Sequence, residues 1–200
     1  MGLQKFTGFE RVHENLWWWE VFDEGLKCPL SSSALRTMDG LILIDPVPLP
    51  ERHLSDLVRL AAPCAILLTN HNHERLAGCF QKRFGIPLYA PCAGRYETVR
   101  PDVLVGAGSR LPGGLQALET PGASESETAY LDPRVGGTLL QGDSLIQMHA
   151  GRLEFLPAPY ARDTGRMRMS AGALLRLSFS VLTTAHGKPV RDPKPAIRKL

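Results

Sequence analysis

The apolar positions change period several times along the first hundred residues. Residues 15–22, Asn-Leu-Trp-Trp-Trp-Glu-Val-Phe, have the aromatic and β-branched content of a strand. Alternation in an extended segment puts Trp17 and Trp19 on one side and Trp18 on the other. One face is then expected to line the core, while the second meets a pocket, a partner or another part of the same fold. Residues 31–37 predict a strand, Met38-Asp39-Gly40 a hairpin turn, and 41–44 (Leu-Ile-Leu-Ile) a strand buried on both faces, ended by Asp45-Pro46. Leu54, Leu57, Val58 and Ala61 recur at helical spacing within 51–62, which Pro63 closes. A strand over 65–69 follows. A second amphipathic helix is expected over 74–84, with Leu76, Cys79, Phe80 and Phe84 on its apolar face and Gly85 as its C-cap, then a short strand at 87–89. This order of strand, helix, strand predicts an α/β layered fold around a central sheet.

Beyond Pro101 the pattern becomes short strands divided by glycine, at 103–105, 115–118, 128–131 and 138–141, which reads as an antiparallel meander. A helix over 164–177, a strand over 179–182 and a last helix over 192–200 complete the expected elements.

Composition narrows the class without changing this picture. The chain has 200 residues, 44% hydrophobic and 22% charged, enough for one domain over 1–200 with a proper core. Its four cysteines form no C-x-x-C pair and no signal peptide precedes them, so reduced thiols in a cytoplasmic protein are expected. No apolar run approaches the roughly 18 residues of a membrane span. A net charge of +3 gives no ground for a nucleic-acid partner, and Lys188, Arg191, Lys194, Arg198 and Lys199 read as a solvated helix end.

The chemistry concentrates in residues 66–78, where Ile66-Leu67-Leu68 drops into Thr69-Asn70-His71-Asn72-His73-Glu74-Arg75 before Leu76-Ala77-Gly78 opens a helix. Four further strand or loop ends carry polar groups: Asp45, Thr120-Pro121-Gly122, Gly142-Asp143 and His186-Gly187. In this order the five parts resemble the metallo-β-lactamase fold superfamily, over about residues 17–188. The resemblance implies an α/β, four-layer αββα sandwich with its site along the edge where strand-end loops meet.

The family motif is Thr-His-x-His-x-Asp-His-x-Gly-Gly, and this chain departs from it. Anchored on Thr69 and Ala77-Gly78, it has Asn70 and Asn72 at the first two histidines, Glu74 at the aspartate and Arg75 at the last histidine, with His71 and His73 on spacer positions. Ala123 replaces the histidine of the Thr-Pro-Gly loop, while Asp143 and His186 stand where ligands belong.

Two readings follow. In one, the metal is lost and the pocket is a polar network of Asn70, Asn72 and Arg75, in which Arg75 grips Asp143 or Glu74 and offsets their charge. In the other, the loop slips by one so that His71 and His73, with Asp143 or His186, hold one zinc ion. That slip turns the side chains away from the pocket if the segment is extended.

The expected protein is hydrolase-like with a largely lost dinuclear site and no cofactor. The alternatives are a one-zinc hydrolase of an ester, thioester or phosphoester, and a non-catalytic ligand-binding or interaction module. Asp143, Glu74 and His73 are the candidate catalytic residues. A small-molecule ligand and a homodimer are the expected partners, with neither nucleic acid nor membrane.

Overall fold

The computed structural model describes residues 3–106, 108–149 and 151–200. In chain order the strands are β1 (Gln4–His13), β2 (Leu16–Asp23), β3 (Cys28–Arg36), β4 (Leu41–Ile44), β5 (Pro63–Leu67), β6 (Leu88–Pro91), β7 (Val103–Val105), β8 (Gln116–Glu119), β9 (Thr128–Asp132), β10 (Thr138–Leu140), β11 (Leu145–His149), β12 (Arg152–Phe155), β13 (Val181–Thr183) and β14 (Val190–Arg191). The helices are α1 (Glu51–Leu60), α2 (Ala77–Phe84), α3 (Thr164–Leu174) and α4 (Lys194–Ile197). The first seven strands form one sheet in sequential order, β8, β9, β10, β13 and β14 form a second, and β11–β12 is a separate hairpin.

Side-chain alternation sorts the strand residues into the spaces between layers. Leu41 and Leu43 of β4 join Leu54 and Leu57 of α1 and Ala77 and Phe80 of α2 on one side of the first sheet. Ile42 and Ile44 face the other way and meet Tyr130 and Leu140 of the second sheet. Across that sheet, Ala129, Leu131 and Leu139 pack against Ala171 and Leu174 of α3 and Ile197 of α4. Helices, sheet, sheet and helices therefore stack as four layers with three apolar interfaces, the αββα sandwich expected.

Trp18 sits between the sheets while Trp17 and Trp19 sit under the helices. All three are 5% exposed or less, so neither face of β2 is left for a partner. The Trp18 indole donates to the Gly187 carbonyl (3.0 Å) and that of Trp19 to the Val47 carbonyl (3.1 Å), which satisfies their buried N–H groups.

A strand apolar on both faces cannot set its register by polarity. Polar clamps do so here: the Ser32 hydroxyl donates to the Asp45 carbonyl (2.6 Å) and accepts the Val47 N–H (2.8 Å), which fixes where β4 ends and where Asp45 stands.

Several elements differ from expectation. Pro63 opens β5 rather than closing α1. The second helix begins at Ala77, because His71–His73 is a separate 3₁₀ turn and Arg75 takes a left-handed φ of 38° that interrupts helical geometry. Gly85 does cap it, with φ 62° and its N–H on the Gln81 carbonyl. The meander stops at β10, which pairs in parallel with β13. The expected last helix shrinks to the single turn of α4, and β1, β14 and the β11–β12 hairpin went unforeseen. No helix among the described residues is long and apolar enough to cross a membrane.

Candidate metal centre

Strand ends from both sheets meet at one edge. β4 delivers Asp45, β5 runs into Thr69 and the 70–73 turn, the segment after β10 carries Asp143, and that after β13 carries His186. Asn70 is the N-cap of the turn, its side-chain oxygen accepting the Asn72 N–H (2.9 Å). In a 3₁₀ turn, residues three apart lie one above the other. Asn70 and His73 therefore face the same way, and both reach Asp143: Asn70 Nδ2 donates to Oδ2 (3.1 Å), and His73 Nε2 lies 3.1 Å from Oδ1.

His186 Nε2 lies 3.2 Å from the same Oδ1, and ligand atoms of His73, Asp143 and His186 all fall within 4.8 Å of one another. Despite these short distances, the buried Asp143 Oδ1 receives no hydrogen bond of acceptable geometry. The three atoms cluster without hydrogen-bonding one another. Two ligands about 2.0–2.1 Å from one ion, at angles between right-angled and tetrahedral, stand about 2.9–3.4 Å apart, so the two spacings from Asp143 Oδ1 fit a divalent cation.

The outer partners hold the same arrangement. His73 Nδ1 faces Asp45 Oδ2 (2.9 Å) and the Thr69 hydroxyl (2.8 Å), and that hydroxyl itself donates to Asp45 (2.5 Å). His186 Nδ1 donates to the Pro29 carbonyl (2.6 Å). With acceptors at both Nδ1 positions, the neutral rings keep their Nε2 lone pairs for an ion, as second-shell carboxylates and carbonyls do in metal sites.

Without an ion, protons balance the charge. Burial alone lowers the His73 pKa, but the charge of Asp143, with Asp45, outweighs it despite the opposing Arg75 and raises the value to about 9. Burial pushes the Asp143 carboxyl up, yet His73 and His186 hold it well below the usual carboxylate range. Burial likewise lowers His186, while the Asp143 carboxylate 3.2 Å away outweighs that and raises it. Glu127 is pushed up to about 8 by burial and by the Asp143 charge, against the pull of His73 and of the N–H groups of Asn70 and Asp143.

The structure brings Asn70, His73, Asp143 and His186 together and places the other candidates elsewhere. His71 bonds Ser126 through its amide (2.9 Å) and Nδ1 (2.7 Å) and stands outside the ligand cluster. Asn72 is exposed and contributes only its backbone N–H to the cap. Glu74 is turned to the 97–99 loop, where its carboxylate takes the N–H groups of Glu97, Thr98 and Val99, so it is a loop anchor rather than a pocket acid.

Arg75 pairs with neither Glu74 nor Asp143. Its guanidinium donates to the carbonyls of Ser31 (2.7 Å), Asp45 (3.2 Å) and Ala185 (3.4 Å), strapping the ends of both sheets together, because its left-handed backbone aims it behind the pocket wall. The objection to the slipped reading holds only for an extended segment, and residues 71–73 form a 3₁₀ turn instead. The 3₁₀ turn lets His73 serve from a spacer position without moving Ala77-Gly78.

The contacts of Asp45, a strand-end polar group in the sequence, and the role of Glu127 emerge only in three dimensions. Asp45 accepts the Thr69 amide (2.8 Å) besides orienting His73. Glu127, 2% exposed, lies under the Gly142-Asp143 segment, and its sequence signal was a carboxylate next to the wholly buried strand β9. Ala123 carries no ligand, and its loop is pinned by Gly122, where a Cβ would fall 2.2 Å from the Met167 nitrogen of α3.

A four-layer sandwich with its polar site at the sheet edges defines a class, and the comparisons agree with it. The chain belongs to the metallo-beta-lactamase superfamily, whose family profile matches residues 10–183. Among solved structures it is similar to DIM-1 metallo-beta-lactamase (17% identity, TM-score 0.72, 98% of each chain). It is also similar to metallo-beta-lactamase IND-7 (16%, 0.73, 98% of this chain and 96% of that one) and to a metallo-beta-lactamase from Pontibacter korlensis (15%, 0.70, 99% and 100%). At these identities the likeness is one of fold. No curated protein matches the chain significantly in sequence.

Proposed function

We propose that this hydrolase-like protein holds a single divalent cation, zinc being the chemical fit, on His73, Asp143 and His186, and hydrolyses an ester, thioester or phosphoester. One observation carries the reading: two imidazole nitrogens and a carboxylate oxygen converge without bonding one another, each held from behind. Three protein ligands with an open position is the composition of catalytic zinc sites. A cation bound there supplies Lewis-acid chemistry, which polarises a scissile group and acidifies water.

The chain's own residues supply the rest. Asp45 and Thr69 hold His73, the Pro29 carbonyl holds His186, and Asn70 ties down Asp143 Oδ2 so that Oδ1 stays free. Asp143 and His186 side chains are 13% and 15% exposed against 4% for His73, so substrate approaches from their side.

Protein purified without chelator or added metal should contain about one equivalent of divalent metal, lost in His186→Ala, and should cleave members of a chromogenic ester, thioester and phosphoester panel only when loaded. Nearly two equivalents, or none together with no uptake of added zinc, would overturn the reading. The second outcome would support a metal-free ligand pocket, which the raised pKa of His73 beside the Asp143 carboxylate favours as the alternative.

A further inference from the structure

Glu127 is the one buried acid of the site edge that the proposed chemistry leaves without a task. Every neighbour of its carboxyl is a donor: Oε1 takes the Asp143 N–H (2.5 Å) and Ser144 N–H (3.3 Å), and Oε2 takes Asn70 Nδ2 (2.9 Å) and the Ser124 hydroxyl (3.4 Å). None of the ion pairs among the described residues includes it. The loop above is pressed onto it, since a Cβ on Gly142 would lie 2.5 Å from Glu127 Oε1 and 2.7 Å from the Thr69 hydroxyl. Buried carboxyls are costly, so one ringed by donors and lacking a cation has a role those donors define.

The donors that matter belong to Asn70 and Asp143. An amide has a direction: Asn70 turns its NH₂ to both Glu127 and Asp143 Oδ2, and its oxygen to the Asn72 N–H, which starts the turn presenting His73. Reversing the amide would set its oxygen against two carboxyl oxygens and leave the Asn72 N–H uncapped. We propose that Glu127 is a positioning residue whose carboxyl fixes the direction of the Asn70 amide and, through it, the free oxygen of Asp143 and the turn that carries His73. The inference rests on the single-cation reading only where affinity is concerned, since the hydrogen-bond polarity exists without metal.

Glu127→Gln tests it. The new amide must keep its oxygen on the Asp143 N–H, so its NH₂ meets the Asn70 NH₂, donor against donor. In metal-free protein, the Asn70 side-chain NH₂ signals, assigned by their absence in Asn70→Asp, should shift and lose protection from solvent exchange in Glu127→Gln. Cobalt and zinc affinities should fall roughly 10–100-fold, the usual cost of losing a second-shell partner.

A polarity exchange guards against simple misfolding. Asn70→Asp faces Glu127 with a second carboxylate. Combining it with Glu127→Gln restores a donor at position 127 facing an acceptor at position 70, while the contact of position 70 with Asp143 is the same as in Asn70→Asp, so the double variant should melt above Asn70→Asp alone. Asn70 signals unchanged in Glu127→Gln, or a double no more stable than Asn70→Asp, would overturn the proposal. A native protein that binds no metal would refute the cation reading alone, leaving the Asn70 signals and the melting order to decide this one.

Discussion

Asp45→Asn isolates the part of the site that decides which nitrogen of His73 is free. The Thr69 amide donates to Asp45 Oδ1 at 2.8 Å, and because a backbone N–H must meet an acceptor, the asparagine is forced to keep its oxygen there. Its NH₂ then occupies the place of Oδ2, 2.9 Å from His73 Nδ1 and 2.5 Å from the Thr69 hydroxyl. Nδ1 becomes an acceptor and the ring proton moves to Nε2, where it blocks the lone pair aimed at the cation site. Loss of such a second-shell carboxylate costs about 10–100-fold in metal affinity, or about 1.4–2.7 kcal/mol.

Stability moves separately. Two charge-assisted bonds from Thr69 become neutral ones at about 1 kcal/mol each, so Tm of the metal-free protein should drop by about 4–8 °C. Competition of the purified variant against a chromophoric zinc indicator measures the first effect, and calorimetry with excess chelator the second. Zinc affinity within twofold of native, in a variant whose Tm has fallen as expected, would show that the Nδ1 partner does not set the tautomer.

Two further outcomes follow from the same geometry. In metal-free protein His73 holds its proton up to about pH 9 against an ordinary 6.5, so the fold takes up a proton that the unfolded chain releases. The stability it contributes is complete below the ordinary value and lost as pH rises through the raised one, so urea midpoints with chelator should decline from about pH 6 to 9; a flat profile would refute this. Arg75→Ala removes three bonds to carbonyls that join the two sheets and should cost about 3 kcal/mol, or about 6–12 °C in Tm, with no rescue by high zinc; a loss below about 1 kcal/mol would show the strap to be dispensable.

The layers were legible because burial on both faces leaves an unmistakable mark: Leu41–Ile44 and the three tryptophans fall where alternation puts them, and Gly85 ends its helix as a left-handed residue should. The site was legible at Asp143 and His186, which stand just beyond apolar strands at positions the family resemblance marks. Between Thr69 and Leu76 the reading failed for a geometric reason. Motif spacing presumes one backbone conformation, and the 3₁₀ turn exchanges period two for period three, so the side chains meeting at Asp143 are 70 and 73 rather than 70 and 72. The left-handed φ of Arg75 was equally hidden, since most residues with positive φ are glycine or asparagine. The β11–β12 hairpin escaped because its polar residues, Gln147, His149 and Arg152, mask the strand signal.

Arg75 was expected as a partner for an acid inside the pocket, and its position in the wall has a consequence for what the site must import. Its charge is permanent and acts on both Asp45 and Asp143 across the wall. Two carboxylates against one tethered guanidinium leave a single negative charge, so one divalent ion already tips the edge positive and a second would leave it heavily overcharged. The arginine is a counter-ion that no chelator can strip. The edge should therefore stay folded with or without an ion.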